Sequence, residues 1–569
     1  MQIIAPTYPW LRSYPPGIAW DMVPEPGTLP AMFEDAVARF ADRPCLDFLG
    51  RRWRYAELGE AVARVAEGFR RLGIGPGSHV GLCLPNSPYY PMAFYGALRA
   101  GATVVNFNPL HVAEELAAQA RDAEVTLMVA PDLDPILPRV LGLLGKGPVG
   151  RVVVCRFAAA LPMLKGLGFR LLRRRAIARV PADDPRVLHW EGLATAPPIA
   201  APLAVRPGDV AVLQYTGGTT GTPKAAMLTH ANLTANLAQV QAWSPGNIPG
   251  QERVLAVLPF FHVFALTSVL NAGIGWGAEL VLLPRFEPAQ LLATIRRTRP
   301  TLFFGVPTLF KAVLDHCAKP GGAKPGELAS VKLCISGGAP LPLEVKRAFE
   351  AASGCVLVEG YGLTEASPVC LCNPVESENR PGSIGLPLPA VRVEIRALDG
   401  SGTVLLPGEP GELCVAGPNV MAGYWRRPEE TAAVLGEDGF LRTGDVGVMD
   451  ADGYVTLIDR IKDLILCSGY NVYPRTIEEV LYRHPDVVAA TVVGAPDPYR
   501  GEHPVAFVEL RPGSTTDADA LREFLRDKLS AIERPRRIEI RASLPRTAVG
   551  KLSKKELKAE LLALRKDKR

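Results

Sequence analysis

The sequence predicts an α/β protein in which a large N-terminal domain, built of doubly wound sheets and a small β-barrel, precedes a small α+β domain. From residue 29 to residue 336, short apolar runs typical of strands alternate with amphipathic runs typical of helices. This alternation is the pattern of parallel sheets whose crossovers are helical. Beyond residue 390 short strands are joined by Asp-Gly turns, and after residue 460 helices and strands are mixed. These two changes predict domains at residues 1–459 and 460–569.

The periodicity of apolar residues places the individual elements. The predicted helices of the large domain are residues 29–40, 56–72 and 89–99, and its predicted strands are residues 53–55, 79–84, 102–107, 125–129, 254–259, 279–283, 302–305 and 332–336. Strands at 391–395 and 411–416, with turns at 399–400 and 452–453, predict the barrel. In the small domain we predict helices at 474–482 and 517–529 and strands at 487–493 and 504–510.

Composition limits the class of protein. A chain of 569 residues is too long for one ordinary core. Hydrophobic residues make up 48% and charged residues 21%, yet no apolar run reaches the length of a membrane span. The ten cysteines form no CxxC pair and no secretory signal is seen, so a cytoplasmic location is expected. The net charge of +5 is concentrated in residues 165–179 and 551–569, which predicts no nucleic-acid partner.

A loop rich in glycine and threonine lies at residues 215–230, YTGGTTGTPKAAMLTH, between a predicted strand at 210–213 and a helix-compatible run at 225–237. Its N–H groups, hydroxyls and lysine suit phosphate oxygens. It is not a Walker A loop, because Pro223 precedes Lys224 and Ala225 follows it, which disfavours a P-loop ATPase or kinase. Taken alone, the loop also fits an ordinary surface loop. We predict that phosphates are bound by Thr216, Gly217, Gly218, Thr219, Thr220, Gly221 and Lys224.

This loop resembles the phosphate loop of the adenylate-forming enzymes, which comprise acyl-CoA synthetases, luciferases and peptide-synthetase adenylation domains. The resemblance covers nearly the whole chain and is greatest to long-chain fatty-acid–CoA ligases. It implies that a fatty acid, ATP, Mg²⁺ and coenzyme A meet in one site, where an acyl-adenylate forms and its acyl group then passes to coenzyme A. It also implies a mobile C-terminal domain that rotates between the two steps.

Two further segments match the family's adenine and metal motifs, SGGAP at 336–340 and VEGYGLTE at 358–365. The carboxyl ends of parallel strands, where such segments lie, are common ligand sites. The resemblance places adenine beside Gly338, Ala339, Pro340, Glu359, Gly360, Tyr361 and Gly362. It places Thr364 at the phosphate and Mg²⁺ on Glu365 and Thr216. Each segment alone also fits an ordinary turn.

Residues near and beyond the domain boundary also match the family's pattern. Asp445 is expected to bind the ribose, with Arg460 as a second contact. Lys462 matches the hinge position, although a charged linker would look the same. The resemblance assigns the coenzyme A channel to Ser468, Gly469 and Tyr470. It places Lys551, in the context PRTAVGK, at the α-phosphate and the acyl carboxylate.

An aromatic segment with one histidine, PFFHVF at 259–264, suits an apolar acid with a polar head. The histidine alone fits a core residue better. The resemblance builds the acyl pocket from Phe260, Phe261, His262, Val263, Leu266, Gly305 and Val306, and makes Lys551, Thr216, Glu365 and His262 catalytic. The apolar lining favours an aliphatic acid, and overall similarity favours a long chain. A medium-chain or aryl acid, transfer to a carrier protein and a non-enzymatic uptake component stay open, although no carrier domain follows residue 551.

The segment at residues 161–180, LPMLKGLGFRLLRRRAIARV, mixes apolar and basic residues without an acid. This composition is typical of a segment at an anionic membrane surface. A solvated basic helix packed on the domain is an equal alternative. Peripheral contact with the inner face of a membrane and a homodimer are therefore alternatives that the sequence leaves open.

Overall fold

The computed structural model describes residues 8–198, 203–216, 223–319, 322, 326–468, 470–497, 499–546 and 552–566. Two large sheets, a four-stranded antiparallel sheet and a five-stranded sheet near the C-terminus form its framework. The α/β fold class predicted from the sequence is confirmed. Strands are numbered β1 to β25 and α-helices α1 to α18 in chain order.

The largest sheet has nine strands, which are parallel in the centre and antiparallel at both edges. Its order is β16-β15-β14-β13-β12-β10-β11-β1-β2. The strands are β1 (Pro44–Phe48), β2 (Arg51–Arg54), β10 (Arg253–Ala256), β11 (Glu279–Leu282), β12 (Leu302–Gly305), β13 (Leu333–Gly337), β14 (Val356–Gly362), β15 (Val369–Cys372) and β16 (Leu386–Pro387). The central strands are buried on both faces, which explains their continuous apolar runs.

The second sheet has seven strands in the order β7-β6-β5-β3-β4-β8-β9. Only the last pair, β8 with β9, is antiparallel. The strands are β3 (His79–Leu82), β4 (Thr103–Asn106), β5 (Leu127–Pro131), β6 (Arg151–Cys155), β7 (Val187–His189), β8 (Val210–Thr216) and β9 (Lys224–Thr229).

The helix-compatible run at 225–237 is divided, and the prediction is wrong for its first part. Residues 224–229 form β9, and α9 (His230–Ala242) begins after Thr229. The Thr229 side chain caps this helix by accepting the N–H of Asn232. Small apolar residues fit either state, and pairing decides between them. β9 pairs with β8 on one side and bridges Tyr424 on the other.

The region predicted as a small barrel is a four-stranded antiparallel sheet in the order β17-β18-β19-β20. Its first and last strands lie on opposite edges, so the described strands do not close into a barrel. The strands are β17 (Arg392–Arg396), β18 (Gly411–Ala416), β19 (Leu441–Met449) and β20 (Val455–Arg460). The C-terminal sheet contains β21 (Ile465–Cys467), β22 (Tyr470–Val472), β23 (Val487–Asp497), β24 (Gly501–Leu510) and β25 (Arg537–Arg541). The predicted boundary at residue 460 coincides with the end of β20 and stays a prediction.

The helices pack on the faces of these sheets. They are α1 (Leu29–Phe40), α2 (Tyr55–Arg71), α3 (Tyr89–Arg99), α4 (Ala113–Asp122), α5 (Ile136–Leu141), α6 (Phe157–Ala160), α7 (Met163–Leu172), α8 (Trp190–Ala194), α9, α10 (Val263–Ala265), α11 (Ala272–Gly275), α12 (Pro288–Thr298), α13 (Pro307–Cys317), α14 (Leu343–Ser353), α15 (Pro428–Ala432), α16 (Pro474–Tyr482), α17 (Ala518–Arg526) and α18 (Lys554–Lys566). Within the described ranges, none of them combines the length and the apolar character needed to cross a bilayer.

One apolar core joins the two large sheets. Val104 and Val212 from the seven-stranded sheet belong to the same buried cluster as Val254 and Leu280 from the nine-stranded sheet. The C-terminal sheet has separate clusters, one of them around Ile477. The two large sheets therefore form a single packed body, on which the site described below is built.

Candidate active site

The predicted phosphate loop connects two antiparallel strands, β8 and β9. Thr216 at the end of β8 is the register partner of Lys224 at the start of β9. Gly217, Gly218, Thr219, Thr220 and Gly221 lie outside the described residues. The Nζ atom of Lys224 lies 2.6 Å from a carboxylate oxygen of Glu430 and 5.2 Å from the centre of the Tyr424 ring. The hairpin thus brings the two ends of the loop side by side.

Residues 421–425 hold a second part of the site against β9. The N–H of Met227 donates to the carbonyl oxygen of Gly423 at 2.8 Å, and the N–H of Ala422 donates to the carbonyl oxygen of Met227 at 3.0 Å. The N–H of Met421 donates to the carbonyl oxygen of Glu365 at 2.8 Å. This pairing fixes the Glu365 turn beside the phosphate hairpin.

Glu365 and Lys224 both contact the Tyr424 side chain, Glu365 at its hydroxyl and Lys224 over its ring. The Tyr424 hydroxyl donates to Oε1 of Glu365 at 2.7 Å. Burial, and next the Glu365 carboxylate, raise the pKa of Tyr424, so it stays a hydrogen-bond donor. The 3₁₀ turn Thr364–Ala366 that carries Glu365 contacts both β8 and β9.

The donor set around Glu365 fits magnesium. Mg²⁺ commonly uses one or two carboxylates together with substrate phosphates and water. Glu365 is a single, partly exposed carboxylate beside the predicted phosphate loop, and the Thr216 hydroxyl lies at the end of β8. These are ligands of the kind that Mg²⁺ uses. No group of three or more His, Cys, Asp or Glu side chains suited to a metal occurs among the described residues. The arrangement therefore suits a substrate-associated ion.

A second polar cluster forms where Asp445 and Arg460 pair across β19 and β20. The Tyr361 hydroxyl donates to Oδ2 of Asp445 at 2.6 Å, and Nε of Arg460 lies 3.1 Å from Oδ1. Burial, and next the Asp445 carboxylate, raise the pKa of Tyr361. Asp445 is itself buried, and its two hydrogen-bonding partners fix the orientation of its carboxylate oxygens. A bidentate acid of this kind is what two ribose hydroxyls require.

The adenine segments meet at the carboxyl ends of β13 and β14, where Gly337 and Gly360 are register partners. Gly338 follows with a φ of +80°, a left-handed conformation that glycine adopts readily, and it is exposed. The Glu359 carboxylate is buried and accepts the N–H of Leu341 at 3.2 Å. Burial raises the pKa of Glu359 to about 7. Its side chain therefore holds the loop at residues 338–341.

The acyl segment divides into core and partly exposed positions. Phe260 is fully buried, with its ring centre 5.4 Å from that of Tyr90. Phe261 and His262 are partly exposed, and Nδ1 of His262 accepts the N–H of Phe264 at 3.4 Å. The buried or close-packed remainder of the predicted pocket consists of Val263, Leu266, Gly305 and Val306.

Phe264 connects the acyl segment to the adenine loop. A Cβ added to Gly337 would lie 3.2 Å from the Phe264 ring, a tight contact that would require the ring to shift. Gly305 has the same relation to the Phe310 ring, at 2.9 Å. A π-helical turn at Leu266–Asn271 follows the segment and was not predicted.

The residue predicted as the hinge, Lys462, follows the Asp445–Arg460 pair closely in the chain. Lys462 belongs to the exposed 3₁₀ turn Ile461–Asp463. Its pKa is lowered by partial desolvation and next by the Arg460 guanidinium. The carboxylates of Asp445 and Glu365 act on it in the opposite sense. The charges of Asp445 and Glu365 therefore both act on the Lys462 ammonium group.

The remaining small-domain residues are exposed or lie outside the described chain. Ser468 adopts a φ of +53° and donates its N–H to the carbonyl oxygen of Arg500 at 2.7 Å. The Tyr470 side chain is 67% exposed. Gly469 and Lys551 lie outside the described residues.

The described residues on either side of the segment that contains Lys551 are paired with each other. Arg546 and Leu552 form an antiparallel bridge. In the helix that follows, Nζ of Lys558 contacts Oδ1 of Asp463 at 2.9 Å. The C-terminal helix is thus tied to the turn that contains the hinge.

Comparison with known proteins assigns the chain to a family. A family model described as AMP-binding enzyme matches residues 33–425, and one described as AMP-binding enzyme C-terminal domain matches residues 476–551. The chain belongs to the AMP-binding enzyme family. This AMP-binding enzyme is 40% identical to a long-chain-fatty-acid–CoA ligase of Bacillus subtilis, and the match covers 97% of this chain and 98% of the relative. It is 37% identical to a ligase of the same name from Escherichia coli over the same shares. A structure of ATP-bound MatB from Rhodopseudomonas palustris aligns with a TM-score of 0.82 and 28% identity, over 94% of this chain and 99% of that one.

Sequence reasoning missed two residues that contact predicted site residues. The Tyr424 hydroxyl donates to Glu365 and its ring lies beside the Lys224 ammonium group, while Glu430 pairs with that lysine. The Gly-Tyr-Trp sequence at 423–425 contributed only to overall similarity, because its pairing with β9 links residues far apart in the chain. The only local signal was the aromatic pair Tyr424-Trp425 directly after Gly423.

Proposed function

We propose that this AMP-binding enzyme activates a long-chain fatty acid with ATP and transfers the acyl group to coenzyme A. The products are acyl-CoA, AMP and pyrophosphate. The observation that carries the proposal is a continuous set of contacts. Tyr424 links Lys224 to Glu365, and Tyr361, four residues before Glu365, links the same segment to the Asp445–Arg460 pair. These segments offer groups for phosphates, a phosphate-bound cation and ribose, in the order in which ATP carries them.

In the proposed first step, a carboxylate oxygen of the acid attacks the α-phosphorus of ATP and the bond to pyrophosphate breaks. Lys224 and the loop residues would hold the β- and γ-phosphates, while Asp445 and Arg460 would hold the ribose. Glu365 and Thr216 would hold Mg²⁺, which when bound neutralises charge on the phosphates. Lys551 would place its charge where negative charge develops.

In the proposed second step, the sulfur of coenzyme A attacks the acyl carbonyl carbon and AMP leaves. We assign residues 460–569 to a domain that turns about Lys462, which removes Lys551 and brings Ser468, Gly469 and Tyr470 to the channel. The exposure of Tyr470 supports this assignment, because a channel residue used in one step need not be packed in the other. Residues 1–459 would form the fixed body.

The acyl class rests on the lining of the pocket and on the relatives. Apart from His262, the predicted lining is apolar, and the Phe264 ring packs next to Gly337. Such a wall favours an aliphatic chain. Both ligases reported above carry the long-chain name and match nearly the whole chain, which supports the same class here.

The proposal is tested by incubating the protein with ATP, Mg²⁺, coenzyme A and a series of acids. We expect AMP and an acyl thioester, with the highest kcat/KM for long-chain acids. A preference for medium-chain or aryl acids would overturn the long-chain assignment, and transfer only to a carrier protein would overturn the acceptor. ADP formation, or binding of the acid without turnover, would overturn the reaction. Light scattering of the same sample distinguishes a monomer from the homodimer that the sequence left open.

We further propose that α7 docks this enzyme on the anionic inner face of a membrane. The helix exposes large apolar side chains: Met163 is 84% exposed, Leu164 79%, Leu171 70% and Leu172 86%. Its opposite side is anchored, because Gly166 is buried against the carbonyl oxygen of Ala158. A helix that is packed on one side and apolar on the other suits insertion into a membrane interface.

The charges next to this apolar face indicate that it binds an anionic lipid surface. Arg173, Arg174 and Arg175 follow α7 directly and are exposed. Basic residues beside an apolar face favour anionic lipid headgroups. Ten free cysteines support the reducing cytoplasm as the compartment. A membrane surface would also concentrate the fatty acid near the enzyme.

Vesicle sedimentation tests the docking proposal. Changing all three arginines to glutamate is expected to weaken binding to phosphatidylglycerol vesicles on the order of 100-fold, because each basic residue contributes about 1 kcal/mol. The control changes Arg511, Arg522 and Arg526 to glutamate and is expected to bind like the wild type. Unchanged binding by the first variant, or an equal loss in the control, would exclude this surface.

A further inference from the structure

A series of buried polar side chains crosses between the two large sheets behind the acyl segment. Asn106 lies on β4 and Gln214 on β8, and both are buried. Tyr90 on α3 and Asn86 before it are also buried. Their surroundings belong to the apolar core. Polar groups in such a place are costly unless each is hydrogen-bonded, so their pairing is informative.

Nearly every hydrogen-bonding group of these side chains has a partner. Nε2 of Gln214 donates to the carbonyl oxygen of Phe261 at 2.9 Å, and its Oε1 accepts from Nδ2 of Asn106 at 2.9 Å. The Tyr90 hydroxyl donates to Oδ1 of Asn106 at 2.6 Å and lies 2.9 Å from the carbonyl oxygen of Phe260.

Asn86 completes the series at the other end. Its Nδ2 donates to the carbonyl oxygens of Ala256 at 3.1 Å and Leu258 at 2.8 Å, and its Oδ1 accepts the N–H of Phe260 at 2.9 Å. The backbone from residue 256 to residue 261 continues from β10 of the nine-stranded sheet. It is therefore held by side chains from β8 of the seven-stranded sheet, from α3 and from the segment before α3.

Gln214 is the member that connects two functional segments. It lies two residues before Thr216, on the strand that leads into the phosphate loop. The carbonyl that it binds belongs to Phe261, the residue directly before His262. One amide thus sets the spacing between the end that would hold phosphates and the end that would hold the acid.

We infer that Gln214 is a positioning residue that fixes the Phe261–His262 turn relative to the phosphate hairpin, so that the acid's carboxylate meets the α-phosphorus in line. The inference rests on the proposed function. A displacement of about 1 Å can reduce a rate on the order of 100-fold, because attack needs the reacting atoms in contact and aligned. A change at Gln214 should therefore affect the acid-dependent step more than the binding of ATP.

The test compares Gln214→Leu with the matched variant Gln239→Leu. Gln239 is also buried, donates to the carbonyl oxygen of Pro389 at 2.8 Å and accepts from Asn236 at 3.0 Å, so both variants lose the same kinds of hydrogen bond. We expect Gln214→Leu to reduce kcat/KM for the acid in ATP–pyrophosphate exchange about 10- to 100-fold. The KM for ATP should stay within about twofold, and Gln239→Leu should exchange like the wild type at equal folded fraction.

Gln214→Met is close to glutamine in size and loses the donor to Phe261, so it is the second variant if the leucine variant does not fold. We expect it to show the same loss for the acid. Wild-type kinetics in a folded Gln214 variant, or an equal loss in Gln239→Leu, would overturn the inference. Absence of fatty-acid-dependent exchange in the wild type would instead overturn the proposed function, so the two failures are distinguishable.

Discussion

In the large domain, the carboxylates assigned to ribose and to magnesium are held by hydrogen-bonding partners, whereas the described residues assigned to the coenzyme A channel in the small domain are exposed. Asp445 is held by Tyr361 and Arg460, and Glu365 is held by Tyr424. Tyr470, by contrast, is exposed on a short strand.

This difference corresponds to the steps in which each group would act. Groups that bind the nucleotide throughout the reaction benefit from fixed partners, because preorganised dipoles need no rearrangement at the transition state. Groups that enter for one step must be free to leave. We therefore expect changes in the large domain to affect both half-reactions and changes in the small domain to affect one.

The largest effect is expected for Glu365→Gln. The variant keeps the shape and removes the charge, so phosphate-bound Mg²⁺ loses its ligand and ATP–pyrophosphate exchange should fall on the order of 1,000-fold. Exchange rates measured at several Mg²⁺ concentrations check this. Glu429→Gln, at an exposed glutamate on α15, is the control and should exchange normally. A loss of less than tenfold would remove Glu365 from the metal site.

Lys551→Ala tests whether the small domain serves a single step. We expect adenylate formation to fall on the order of 100-fold, because a charge aimed at the reacting phosphate is lost. Thioester formation from supplied acyl-adenylate should change less than about threefold. Single-turnover measurements of each step check the difference, with the exposed Lys555→Ala as control. Equal losses in both steps would contradict the domain rotation.

The buried carboxyl of Glu359 is expected to make the stability of the protein depend on pH. Burial raises its pKa from 4.5 to about 7, so the folded protein binds the proton more tightly than the unfolded chain does. Stability is therefore expected to fall as the pH rises from about 4.5 to about 7, by at most about 3 kcal/mol. Glu359→Gln should abolish this fall and melt at a higher temperature than the wild type at pH 8.

Thermal melts between pH 5 and pH 8 measure the Glu359 effect. Glu376→Gln, at an exposed position, should keep the pH dependence of the wild type. If wild type and Glu359→Gln melt alike at pH 8, the buried carboxylate does not titrate as described.

The smallest effect is expected for Tyr424→Phe. The ring beside Lys224 remains, but the hydrogen bond to Glu365 is lost, and a bond to a charged group contributes about 1.5 kcal/mol or more. ATP–pyrophosphate exchange should fall about tenfold. Tyr482→Phe, which loses only a weak bond to Ala490 in the small domain, is the control. Equal rates for both variants would show that the tyrosine does not orient Glu365.

Most of the elements could be predicted because their signals are local. The helix at 29–40 and the strand at 302–305 were predicted with the bounds that the structure has, since periodicity and caps lie within each segment. The run at 225–237 could not be assigned correctly from its own residues. Its first part is a strand only because β8 and residues 421–425 pair with it.

The residues of the candidate site also fall into those that the sequence could predict and those that it could not. The loop at 216–224 and the Glu365 motif have residue types whose chemistry shows in the sequence. Tyr424, Glu430 and Gln214 gave no such signal, because their partners are distant along the chain.

The sequence by itself determined the fold class, the order of the strands and helices, and the residue types that suit a nucleotide, because periodicity and loop chemistry are local properties. Only the tertiary structure decided that the predicted phosphate loop connects two antiparallel strands, that Glu359 supports a loop, and that α7 presents its leucines to solvent. These outcomes depend on which surfaces pair and which stay uncovered. That choice is made by long-range packing and hydrogen bonding across the sheets.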